Sequence, residues 1–171
     1  FSCFTGLAIT DMENLEYSHI QMAADGQRYI RKERQKTKVE FVVPLHPIAE
    51  TIISHCRNSQ AGNEEQQAVK EKGDSLVFQP HCSRSVMGKN LSIVGKACGI
   101  RQRLSYHMAR HTFGTMCLSA GIPIESIAKM MGHASISSTQ IYAQVTDNKI
   151  SEDMDRLIRK HQTKEIKEET V

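Results

Sequence analysis

Five side chains in this sequence carry chemistry that simple packing does not require: Lys36, His107, Arg110, His133 and Tyr142. His107 and Arg110 stand three residues apart, which on a helix sets an imidazole and a guanidinium on one face about one turn from each other. A guanidinium offers a planar fork suited to phosphate oxygens, and an imidazole moves protons near neutral pH. Tyr142 brings a phenol that acts as a nucleophile once its proton is taken. Each has a bland counterpart: a solvated helix face, a solvated turn lysine for Lys36, a tyrosine that fills a core and hydrogen-bonds its tip. His111 follows His107 at the four-residue spacing of zinc-binding helices, but Met108 occupies the position where a metalloprotease helix carries glutamate. The zinc reading is disfavoured on that ground, and His111 reads as structural or as a neighbour of a site.

These residues need elements to hold them. Ser105 to Ala120 reads as one helix stopped by Gly121, and Pro123 to Met131 as another, with Ile124, Ile127 and Met130 or Met131 inward and Gly132 as its cap. Ser137 and Gln140 have capping-box spacing, which predicts a helix starting there with Tyr142 about one turn in. Gln27 to Val43 reads as a β-hairpin: Val39, Phe41 and Val43 alternate, Lys36 sits near the tip, and Arg28, Arg31, Arg34 and Lys38 make it basic.

Upstream, Thr5-Gly6 and Thr10-Asp11 suggest a helix end, a tight turn and a new helix. Pro47 to Cys56 is a helix with Ile48, Ile52 and Ile53 inward; Asn58 to Asp74 is a polar loop or frayed helix end. Leu76 to Phe78 is a short extended piece. Ser83 to Cys98 is an amphipathic helix with Val86, Leu91, Val94 and Ala97 inward, and Ile150 to Lys160 is a final helix before a charged tail, 161–171. The expectation is an α+β domain over 1–160, mostly helical with one small antiparallel sheet.

Composition narrows the class. A chain of 171 residues with 39% hydrophobic and 24% charged residues fits one soluble domain, and no apolar run reaches membrane-span length. Five cysteines, odd in number and without a Cys-x-x-Cys pair, point to reduced thiols in the cytosol. A net charge of +3 permits a polyanionic partner without demanding one. The sequence begins at Phe1 rather than Met, so an upstream region is expected.

The order Thr5-Gly6-Leu7, hairpin lysine, His107-x-x-Arg110-His111-Thr112-Phe113, Gly132-His133 and a tyrosine nine residues after that histidine resembles the catalytic domain of the tyrosine recombinases, the integrases of phages and conjugative elements. The resemblance runs from Phe1 to about Val145. It implies a Tyr142 attack on a scissile phosphate that leaves a 3′-phosphotyrosine and a free 5′-hydroxyl, without cofactor, metal or ATP. Arg110 and His133 would then stabilise the phosphate, His107 take the tyrosine proton and Lys36 protonate the leaving oxygen. Arg28, Arg31, Arg34 and Lys38 would touch the DNA backbone.

The resemblance further implies double-stranded DNA as partner, a DNA-dependent tetramer, accessory DNA-bending proteins, a bacterial cytoplasmic setting and a last helix that docks on a neighbouring protomer. One position departs from the pattern. Thr-Gly-Leu is normally followed by the first catalytic arginine, and here Ala8 follows. A replacement would come from Arg28, Arg31 or the upstream segment, or the enzyme tolerates the loss at a cost on the order of 10²–10³ in rate, or the chain is a silent DNA-binding relative. A resolving or inverting recombinase and a type IB topoisomerase share the chemistry; a helical interaction domain leaves the ordered set unexplained.

Overall fold

The computed structural model describes residues 1–61, 75–79, 83–142, 150–151 and 153–159. It opens with two short helices, α1 (Ser2–Thr5) and α2 (Ile9–Glu13), joined through Gly6 in the left-handed region at φ 66°. A 3₁₀ turn, Tyr17–His19, leads into strands β1 (Ile20–Met22), β2 (Arg28–Glu33) and β3 (Glu40–Pro44), which form one antiparallel sheet in the order β1-β2-β3. Helices α3 (Pro47–Ala61), α4 (Arg84–Ala97), α5 (Tyr106–Ser119), α6 (Ile124–Met131) and α7 (Ser137–Gln140) follow. The described residues are thus mostly helical with a small sheet, as the sequence predicts.

Two apolar clusters organise the body. In the first, Leu7 and Leu15 from the opening turns meet Ile30, Phe41 and Val43 from the sheet and Ala49 and Ile53 from α3. The alternation of Phe41 and Val43 in β3 puts both side chains on the core face, where they are 2% and 1% exposed. The second joins Phe113 and Cys117 of α5 to Ile127 and Met131 of α6. Met130 packs against both, with α6 set against β3 and α5 against α1 and α6.

Several expectations change on contact with the structure. The expected hairpin gains a third strand, β1, whose three residues are too few for an alternating pattern to register. Helix α3 runs past Cys56 to Ala61, and its buried pair is Ala49 and Ile53; Ile48 is 45% exposed because the core lies on the next face round. In α4 the inward residues are Gly95, which approaches Leu104, and the half-buried Leu91; Val86, Val94 and Ala97 face outward. That helix is held at its N-terminal turn instead, by an Arg84–Glu13 ion pair at 2.5 Å and a hydroxyl contact from Tyr106 to Met87 sulfur. Residues 62–74, 143–149 and the tail 161–171 lie outside the described set, so the polar loop and the tail are not described. Residues 150–151 and 153–159 are helical, with Arg156 against the turn at Gly121.

Candidate active site

Helix α5 carries the centre of the site. Ser105 caps it by accepting from the Met108 amide at 3.2 Å, worth about 1 kcal/mol. Its buried positions are Arg110, Phe113, Gly114 and Cys117, the i, i+3, i+4, i+7 stripe of a helix facing a core. A guanidinium therefore stands where the pattern calls for an apolar residue. Arg110 is 6% exposed. It donates through Nη1 to the Gly6 carbonyl and through Nη2 to the Met131 carbonyl at 2.5 Å. Those bonds tie the glycine turn, α5 and the end of α6 to one side chain, each being worth on the order of 1.5–3 kcal/mol for a charged donor. Among the described residues no carboxylate pairs with it within 4.0 Å. Burial, then the Arg34 charge, pulls its pKa down to about 10, so it stays cationic at neutral pH.

The residue after Gly132 is set by the end of α6. Gly132 takes φ 62°, closing the helix, and the His133 amide returns to the Ala128 carbonyl at 3.0 Å. The His133 ring then meets the fully buried Thr139 hydroxyl, Nδ1 to Oγ1, at 2.7 Å. Burial first, then Arg110 and Arg34, lower its pKa to about 4. At neutral pH the imidazole is uncharged, and when Thr139 donates to Nδ1, the Nε2–H is left to donate outward.

Tyr142 stands just beyond α7 rather than one turn inside it: the helix ends at Gln140 and the Tyr142 amide closes on the Thr139 carbonyl at 3.0 Å. The expected Ser137 cap is not made; Ser135 Oγ accepts from the Ser137 amide at 3.2 Å, moving the capping role two residues upstream. The ring lies over Gly114, where a Cβ would meet its Cδ2 and Cε2 carbons at 2.9 Å. The His111 ring, one turn earlier on α5, packs against Tyr142 in a T-shaped pair with centroids 5.2 Å apart. Burial raises the phenol's pKa above 10, against the pull of Arg110 and Arg34.

The His107 ring reaches His111, their Nε2 atoms 2.7 Å apart, so His111 stands between His107 and Tyr142. Sequence reasoning left His111 as a neighbour; its ring is the one against the phenol. Lys36 is exposed in the β2–β3 turn. Of the four basic residues expected along DNA, Arg31 faces outward, paired with Glu40 at 3.1 Å. Lys38 adopts φ 55° and pairs loosely with Glu33, while Arg28 opens β2 opposite Met22. Arg34 turns inward, to the Gly132 carbonyl at 3.2 Å and Asp11 at 3.7 Å. Arg110, His133 and Tyr142 thus converge, with Arg34 beside them and His107 one ring removed. Among the described residues no group of three or more His, Cys, Asp or Glu side chains could hold a metal, and no helix is long and apolar enough to cross a membrane.

Comparison with known proteins identifies the family and the fold. The profile of the Phage integrase family matches residues 1–149. Tyrosine recombinase XerD of Halalkalibacterium halodurans is 28% identical over 151 residues, covering 85% of this chain and 48% of that protein. Tyrosine recombinase XerC of Listeria welshimeri is 34% identical over 117 residues, covering 66% of this chain and 38% of that protein. The chain spans about half the length or less of these curated relatives. Among solved structures, XerA recombinase superposes with a TM-score of 0.67 at 22% identity, covering 90% of this chain and 54% of that one. The Tn1549 transposon integrase in complex with transposon right end DNA gives 0.61 at 17% identity, covering 92% and 56%. At these identities the superpositions speak for the fold.

Proposed function

Because the chain belongs to the Phage integrase family, whose relatives here are tyrosine recombinases, we propose that it cuts and rejoins double-stranded DNA through Tyr142. The integration or excision of a mobile element is the role this reading favours. The observation that carries it is the convergence on one point: buried Arg110, with no carboxylate within 4.0 Å among the described residues, bonds the Gly6 and Met131 carbonyls and acts electrostatically on both His133 and Tyr142. A phosphodiester set there brings the anion that the guanidinium lacks.

The chemistry follows from the side chains. Tyr142 Oη attacks phosphorus as the bond to the 5′ oxygen breaks, and energy of the ester is kept in the phosphotyrosine for rejoining. Arg110 offsets charge growing on the non-bridging oxygens, and neutral His133 adds a hydrogen bond. Burial that raises the phenol's pKa makes a base necessary. His107 takes that role through or past His111, and Lys36 delivers a proton to the leaving oxygen. Arg28, Arg31 and Lys38 lie along the sheet for backbone contacts, which position without reading sequence. The catalytic unit on this reading is residues 1–160. It assembles as a tetramer on DNA, aided by DNA-bending proteins, because exchange between two duplexes needs four cuts.

Ala8 favours a second reading, a DNA-binding relative without cleavage. One gel separates the two. The full chain is incubated with a nicked duplex bearing the junction sequences that flank its gene. A denaturing-stable adduct that disappears in Tyr142→Phe is the expected result; DNA binding without an adduct overturns it in favour of the silent relative.

A further inference from the structure

Ala8 leaves the pocket one guanidinium short of the resembled pattern, for which the sequence offers Arg28, Arg31 or an upstream segment. The structure offers a different one. Arg31 points away from the core and is engaged by Glu40 at 3.1 Å. Arg34 is three residues further along, on the same pleat face as the buried Ile30. Its side chain is only 13% exposed.

What surrounds it defines a position. Arg34 Nη1 donates to the Gly132 carbonyl and Arg110 Nη2 to the Met131 carbonyl, so the two guanidiniums hang from adjacent peptide units beside His133. Asp11 faces Arg34 Nε at 3.7 Å. Asp11 is in α2 one turn after Ala8, which caps that helix, so Arg34 comes to rest beside the element where the missing arginine belonged. Arg34 acts through space on Arg110, His133 and Tyr142 together.

Two further observations call for an anion. The buried Arg34 Nε has no hydrogen-bond partner among the described residues. Two guanidiniums share a largely buried corner whose one close carboxylate among the described residues is Asp11, leaving net positive charge that repels itself until something negative enters.

We propose that Arg34 is the second phosphate-binding guanidinium of this site, reaching from the hairpin to fill the role that Ala8 cannot. The inference rests on the recombinase reading above. Arg34 makes and breaks no bond. As Tyr142 Oη joins phosphorus and the 5′ oxygen leaves, the phenol proton passing to the base and the leaving oxygen gaining one, Arg34 balances charge on a non-bridging oxygen.

The test uses the full chain and the nicked junction duplex. Arg34→Ala should slow strand cleavage about 10²–10³-fold, the scale of one lost oxyanion donor. Arg34→Gln, which keeps a donor for the Gly132 carbonyl, should slow it comparably while holding the native circular dichroism spectrum and melting temperature. The deciding readout is a duplex with a methylphosphonate at the scissile position, each diastereomer tried separately. Replacing a charged oxygen with methyl removes the charge that Arg34 balances, so one diastereomer should restore most of the lost rate in both variants, read as adduct plus any hydrolysed strand. A folded variant whose defect persists on both diastereomers overturns the proposal and assigns Arg34 a structural role, as does a variant that cleaves like the parent. A parent chain that forms no Tyr142 adduct overturns the recombinase reading itself, and this inference with it.

Discussion

The Nε2 atoms of His107 and His111 lie 2.7 Å apart, with the His111 ring in a T-shaped pair with Tyr142. At that separation a single proton lies between the rings, and a second would set two cations in contact. Burial first, then His107 and Arg110, hold His111 below the ordinary histidine value of 6.5. An NMR titration should therefore find its midpoint below 6.5. In His107→Gln the midpoint should rise yet stay under that value, since burial and Arg110 remain; no movement would show that the rings do not share a proton.

His133 makes acid stability measurable. Its pKa is about 4 in the fold and near 6.5 in the unfolded chain, so between those values the unfolded state binds more protons. The contribution is fully present above pH 6.5 and is lost as pH falls through 4. Discounted for partial exposure, it amounts to roughly 1 kcal/mol. Urea unfolding of His133→Asn at pH 7 and 4.5 should show a smaller drop than the parent; an equal drop would exclude His133 as the source.

Gly114 separates stability from activity. Alanine is the better helix residue by roughly 0.5–1 kcal/mol, but its Cβ would lie 2.9 Å from the Tyr142 ring carbons. The ring, held on a short segment, has to move. Gly114→Ala should keep or raise the melting temperature while lowering adduct formation about 10²-fold, the effect of displacing a reacting group by about 1 Å. Unchanged cleavage would mean that Tyr142 does not react from over Gly114.

Gly6 gives the opposite result. It sits at φ 66°, and a Cβ there would overlap the Phe113 ring. Gly6→Ala meets both the left-handed penalty and overpacking, each about 1–2 kcal/mol, so thermal unfolding should show a loss of at least 2 kcal/mol.

Ala8 gives a reciprocal test. Ala8→Arg in the parent should change cleavage by less than about 3-fold if the second guanidinium is already in place. In Arg34→Ala the same substitution should recover activity, taken against a single-donor loss of about 10²–10³. A large gain in the parent would mean that the role is vacant.

Helices α5 and α6 were legible in the sequence because their patterns agree with their caps: Ser105 before one, and Gly121 and Gly132 after the two. Other features depend on which neighbour an element meets. The apolar residues of α4 carry no sign of the contacts of its first turn, Arg84–Glu13 and Tyr106–Met87, which hold the helix from one end. Ser135 and Ser137 are equally good capping residues by type, and only the chain's path chooses. Arg34 was grouped with the outward arginines by composition. Its parity with Ile30 was a signal that it faces inward, available from the pleat alone.

The turn between β2 and β3 has a consequence for the lysine it carries. Lys36 sits between two residues, Arg34 and Thr37, whose side chains share the Gly132 carbonyl, at 3.2 and 3.0 Å. The Gln35 amide is fastened to Asp11 at 2.9 Å, and the Lys38 amide to the Arg34 carbonyl at 2.9 Å. A loop moored at two residues on either side of Lys36 does not sweep. Whatever Lys36 touches must come within the span of its own four-carbon stem, which makes the hairpin a fixed gauge of how deeply a duplex has to seat before its leaving oxygen can be protonated.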